Sequence, residues 1–123
     1  MKILKYDSVC IWSEDPDKLA EFYEKILELP VTQRIDIPDD RGILFNVAGI
    51  YLFIGYHDKV HGKATDPYRI MPGFVVEDVY KTYDELKEKG VEFIKPASLS
   101  PDGKYHAATA LDPEGNILQF FSF

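Results

Sequence analysis

Few side chains in this sequence could do chemistry, and they are scattered. There are three histidines. His57 and His61 stand four apart with Asp58 between them, a spacing that metal pairs use. They lie in H-D-K-V-H-G-K-A-T-D-P, residues 57–67, which carries Gly and Lys and no helical periodicity, so solvated linker histidines are expected. His106 follows the turn S-P-D-G-K in a strand and is the one histidine expected near a cavity. There it could act as a general base, although an exposed strand position suits it equally. Cys10 is the only cysteine. With no histidine near it in sequence, it reads as a small buried hydrophobe rather than a nucleophile. Gln119 is the one polar side chain in I-L-Q-F-F, residues 117–121, a strand segment that is apolar on both faces.

A lone cysteine rules out an intrachain disulfide and any Cys-x-x-Cys motif, and a reducing, cytoplasmic home is expected. The chain has 123 residues, 46% hydrophobic and 14% aromatic, enough for a real core. Acidic residues outnumber basic ones 21 to 14, giving a net charge of -7 with no basic run, so nucleic acid is not an expected partner. No apolar run reaches membrane-spanning length, and the first residues lack the pattern of a signal peptide, so no membrane partner is expected.

The elements that must position these residues read as one unit said twice. Residues 3–13 form a strand rich in β-branched and aromatic residues. A helix follows, with Asp15 as N-cap, Pro16 at its first position, an apolar stripe of Leu19, Phe22, Tyr23, Ile26 and Leu27, and Pro30 as its stop. Strands are expected over 31–37, 43–47 and 50–56. The second half repeats the order: a strand over 69–76, a helix capped at Asp78 and closed by Gly90, then strands over 91–95, 105–111 and 116–123. Glu77 could sit at a cavity rim, but its neighbour Asp78 makes this the helix start. The Glu-Asp pairs at 14–15 and 77–78 are offset by 63, and the glycines before the last strands, Gly49 and Gly115, by 66. The expected fold is therefore α+β. Two βαβββ modules, residues 1–56 and 68–123 joined by the linker 57–67, make a single domain with a cupped, half-barrel mixed sheet and helices on its outer face.

Those paired modules, with D-P-D-K-L-A-E-F-Y-E-K-I-L near the start and D-P-E-G-N-I-L-Q-F-F at the end, resemble the vicinal oxygen chelate superfamily of glyoxalases, extradiol dioxygenases, fosfomycin-resistance enzymes and bleomycin-resistance proteins. The resemblance covers essentially the whole chain. It implies two ligand positions per module in metal-dependent members: a His seven residues before the helix-starting Asp, and a Glu, His or Gln in the last strand. Here these positions hold Ser8, Phe53, Met71 and Gln119. A divalent ion needs nitrogen or anionic oxygen donors, so no metal and no cofactor are expected.

Strand alternation then names a face. Ser8, Cys10 and Trp12 share it, with Tyr51, Phe53 and Gly55, then Met71, Gly73 and Val75, and finally Ile117, Gln119 and Phe121. An aromatic wall with few polar points suits a planar or apolar small molecule. Phe53, Val75 and Ile117 could instead fill a core. Without a metal, a carboxylate at 119 would be an unpaired buried charge. The amide either recognises a neutral or donor-rich ligand or satisfies a nearby backbone group. The resemblance points to the metal-free bleomycin-resistance type: a homodimer holding an amphipathic or aromatic ligand, with Ser8, Cys10, Trp12, Tyr51, Phe53, Met71, His106, Gln119 and Phe121 as ligand-binding residues. The alternatives are a metal-dependent lyase, isomerase or dioxygenase using displaced ligands, and a regulatory or interaction module whose cavity is vestigial.

Overall fold

A computed structural model describes residues 1–123. The chain divides into two compact units, Met1–Gly62 and Lys63–Phe123. In the first, β1 (Ser8–Ser13) leads to α1 (Pro16–Glu21), a π-helical turn (Phe22–Ile26), β2 (Val31–Ile37), β3 (Asp40–Val47) and β4 (Ile50–Tyr56). In the second, β5 (Gly73–Val75) leads to α2 (Val79–Glu88), β6 (Glu92–Leu99), β7 (His106–Leu111) and β8 (Ile117–Ser122). Each unit holds one four-stranded mixed sheet, ordered β1-β4-β3-β2 and β5-β8-β7-β6. The first and last strands of each unit run parallel and the other pairs antiparallel. The fold is α+β, with eight strands and no closed barrel. No helix is long and apolar enough to cross a membrane.

Both helix starts follow from local chemistry. Asp15 accepts a hydrogen bond from the Lys18 N–H, and Pro16 occupies the first turn, where its missing donor costs nothing. Asp78 accepts from the Tyr80 and Lys81 N–H groups. Gly90 closes α2 in the left-handed region, at φ 87°. Under α1 lie Ile11, Ile43, Phe45, Leu52 and Ile54, with Leu19, Ala20, Phe22 and Tyr23 supplied from the helical side, all buried. Under α2, Val79 and Leu86 meet the sheet face of Ala108, Ala110, Leu118 and Phe120.

Several boundaries differ from expectation. The first helix does not run regularly to Pro30. It passes into a π turn in which the Leu27 N–H bonds to the Phe22 carbonyl, and it ends with Glu28 in the left-handed region, where the Leu29 N–H returns to the Tyr23 carbonyl. Phe22 and Tyr23, at the start of this turn, are both buried. Residues 3–7 are not a strand, because the β3–β4 turn at Ala48-Gly49 ends the partner strand opposite them. The strand expected over 69–76 shrinks to Gly73–Val75, preceded by Pro72, which has no N–H to give a ladder. Conversely, β3 starts at Asp40 and β6 runs on to Leu99 through register shifts flanking Lys95.

Candidate ligand-binding face

The pairing of β1 with β4 puts Ser8 beside Tyr51, Cys10 beside Phe53 and Trp12 beside Gly55. The pairing of β3 with β4 adds Gly42 beside Gly55 and Leu44 beside Phe53. All of these leave the sheet on the face opposite α1. The two glycines make a shallow floor. A Cβ on Gly42 would stand 2.6 Å from Phe53 Cζ, and one on Gly55 would stand 2.7 Å from Trp12 Cζ3, so both rings lie where side chains would otherwise be. Trp12 meets Phe53 edge-on, with ring centroids 5.7 Å apart at 78°. It is 41% exposed. Cys10 is exposed rather than buried, because it points away from the helix-covered side of β1.

In the second unit Gln119 lies between Gly73 on β5 and Thr109 on β7, and Phe121 lies between Val75 and Ala107. A Cβ on Gly73 would meet the Phe121 ring at 2.9 Å, so a glycine again makes room for an aromatic side chain. Tyr105 meets Phe121 edge-on at 5.7 Å. Met71 is half-buried just before β5. Ile117 is buried, whereas Val75 is 71% exposed and fills no core.

The histidines exchange roles. His106 pairs with Ser122 and so leaves β7 on the face opposite Gln119 and Phe121. Its Nδ1 lies 2.9 Å from the hydroxyl of Tyr80 on α2, so it does not join the predicted face. His57, read as a solvated linker residue, instead packs edge-on against Trp12 at 5.6 Å. Alternation continued past Phe53 and Gly55 carries the signal for it, but the linker composition hides it. Tyr105, Gly42 and Leu44 were likewise absent from the predicted set.

Two carboxyls are held below their ordinary range. The Gly62 N–H, 2.7 Å from Glu14, is the main cause at that residue, with His61 adding to it. At Asp102 the Ser100 hydroxyl is the main cause, followed by the Lys104 N–H. The closing turn Asp112-Pro113-Glu114-Gly115-Asn116 is built on buried Asp112, whose carboxylate accepts from the Glu114 and Asn116 N–H groups and the Asn116 amide. This turn starts β8 and thereby sets the position of Gln119. An open cleft of about 850 Å³ borders His57, with Asp36, Asp39, Asp40, Arg41, Tyr56 and Asp58 among its walls.

The positions that would hold a metal in this architecture do not suit one. Cys10 faces Phe53 as Gly73 faces Gln119, so Ser8 with Phe53 and Met71 with Gln119 stand in matching register in the two sheets. They offer a hydroxyl, a hydrocarbon ring, a thioether and an amide, none of them an imidazole or a carboxylate. No three His, Cys, Asp or Glu side chains gather into a group able to hold an ion.

Two strand-helix-strand units with this register define a paired βαβββ protein. Residues 5–120 match the model of the Glyoxalase/Bleomycin resistance protein/Dioxygenase superfamily, and the chain belongs to that family. A Synechocystis protein named "Probable lactoylglutathione lyase" is 29% identical over 114 residues, covering 82% of each chain. A superfamily member from Sphaerobacter thermophilus superposes with a TM-score of 0.78 at 24% identity, covering 98% of both chains. Lactoylglutathione lyase from Agrobacterium tumefaciens superposes with a TM-score of 0.72 at 14% identity, covering 99% of this chain and 96% of that one, a likeness of fold alone.

Proposed function

We propose that this protein binds a small amphipathic or aromatic molecule and does so without the superfamily's metal chemistry. The observation that carries this reading is the donor set Ser8, Phe53, Met71 and Gln119 at the matching register positions. A Lewis-acid role needs an ion held by several good donors, and of these four side chains only the Gln119 amide is of a type that such sites use, too few to hold a divalent ion. What the same faces do offer is aromatic surface: Trp12 and Phe53 on a glycine floor, Phe121 over Gly73, and single polar points at Ser8, Cys10 and Gln119.

A lyase is the second reading, and it rests on the name of the Synechocystis relative. Elemental analysis after incubation with zinc, nickel, manganese and iron separates the two. The binder reading expects no retained metal, and it expects Gln119→Glu to retain none either, since Ser8, Phe53 and Met71 still contribute nothing to a divalent ion. About one tightly held metal per chain would sink it and make a lyase assay the next step.

A further inference from the structure

We propose that His57 and Trp12 together form a subsite for a planar ligand that carries a neutral hydrogen-bond acceptor, such as a carbonyl, at its edge. This rests on the small-molecule reading above and names the chemistry that one end of the face selects. Trp12 supplies the aromatic surface, and the His57 ring stands edge-on to it, 5.6 Å away at 72°. The backbone N–H of Lys59 donates to His57 Nδ1 at 3.1 Å. An imidazole nitrogen that accepts a hydrogen bond carries no proton, so in neutral His57 the proton sits on Nε2. No side chain or backbone group of the protein accepts from that Nε2–H. His57 also lines the open cleft beside β4. In the tautomer that the Lys59 N–H favours, a free donor stands next to an exposed indole, and the two make a recognition element.

The surrounding charges choose the acceptor. The Asp58 carboxylate lies 3.3 Å from Nδ1, and Asp36, Asp39 and Asp40 line the same cleft against the single cation Arg41. An anionic ligand would be repelled there, and a cationic donor has nothing to gain from an N–H. A neutral carbonyl meets neither objection.

The test uses two fluorescent probes of the same ring system: 6-propionyl-2-(dimethylamino)naphthalene, which has a carbonyl, and 2-(dimethylamino)naphthalene, which lacks it. Their affinities are compared in the wild type, His57→Phe, His57→Gln and His61→Phe. His57→Phe keeps an aromatic edge toward Trp12 and removes the donor. It should lower the preference for the carbonyl probe about fivefold, as loss of one neutral hydrogen bond implies. His57→Gln, with an N–H restored, should recover part of it, and His61→Phe should leave it unchanged. An unchanged preference in His57→Phe, or an equal loss in His61→Phe, overturns the subsite and leaves the small-molecule reading standing. Failure of the wild type to bind either probe overturns that reading, and the subsite with it.

Discussion

The Tyr80 hydroxyl and His106 Nδ1 lie 2.9 Å apart, and their rings meet at 66° with centroids 5.3 Å apart. The contact ties α2 to β7 on the helix-covered face, away from Gln119 and Phe121. Tyr80→Phe removes the hydroxyl and keeps the ring. It should cost about 0.5–1 kcal/mol in urea unfolding, the worth of one partly exposed hydrogen bond. His106→Ala should cost more, because the ring contact goes too, yet it should leave probe affinity as it is. A selective loss of ligand affinity in His106→Ala at unchanged stability would return this histidine to the binding site.

A methyl group at Gly55 would collide with Trp12 Cζ3 and with the Phe53 ring. Gly55→Ala should therefore destabilise the first unit by roughly 1–3 kcal/mol and shift the emission of Trp12, the only tryptophan. Phe53→Leu in the same chain should relieve most of this, so the two substitutions should be strongly non-additive in a double-mutant cycle. Additive costs would mean that the aromatic ring does not use the space over the glycine.

These two sites mark what sequence could and could not reveal. Period-two alternation is a property of a strand alone, so Trp12, Phe53, Gln119 and Phe121 could be assigned to faces before any pairing was known. The caps at Asp15 and Asp78 are equally local, since each satisfies N–H groups within three residues. His106 needed more. Its face is set by its parity relative to Thr109, and Thr109 is identified as the neighbour of Gln119 only by the β7–β8 register. His57 was hidden because glycine and charge in its segment signal a loop, whereas its ring is placed by the last residues of β4. The π turn after α1 is not legible in the apolar stripe, because Leu19, Phe22, Tyr23, Ile26 and Leu27 share one face of a regular helix equally well.

Two non-glycine residues hold positive φ. Glu28, at 56°, ends the first helix, and Ala48, at 50°, precedes Gly49, at 97°, in the β3–β4 turn. A side chain in this region costs about 1 kcal/mol relative to glycine, and a two-residue hairpin turn with positive φ at both positions favours Asn before Gly. Glu28→Gly and Ala48→Asn should each raise stability, by about 0.5–1 kcal/mol. The sites lie in separate turns, so their effects should add. A fall in the urea midpoint for Glu28→Gly would mean that its side chain contributes more than its backbone conformation costs.

Glu14 links the residue after β1 to the segment at the end of the first unit, accepting from the Gly62 N–H at 2.7 Å with His61 Nδ1 at 3.5 Å. The Gly62 N–H first, and then His61, stabilise the charged carboxylate, so its folded-state pKa lies below the ordinary value of 4.5. A depressed acid pKa contributes stability that is fully present above the unfolded-state value and is lost as pH falls through the folded-state value. The expected signature is a wild-type stability that declines on acidification below about pH 4.5, part of which disappears in Glu14→Gln. Glu21→Gln, on the exposed side of α1, serves as the control and should keep the wild-type slope. Urea midpoints measured between roughly pH 3 and pH 7 for the three proteins decide it. If Glu14→Gln declines as steeply as the wild type, the carboxylate is not what holds the Gly62 N–H in solution.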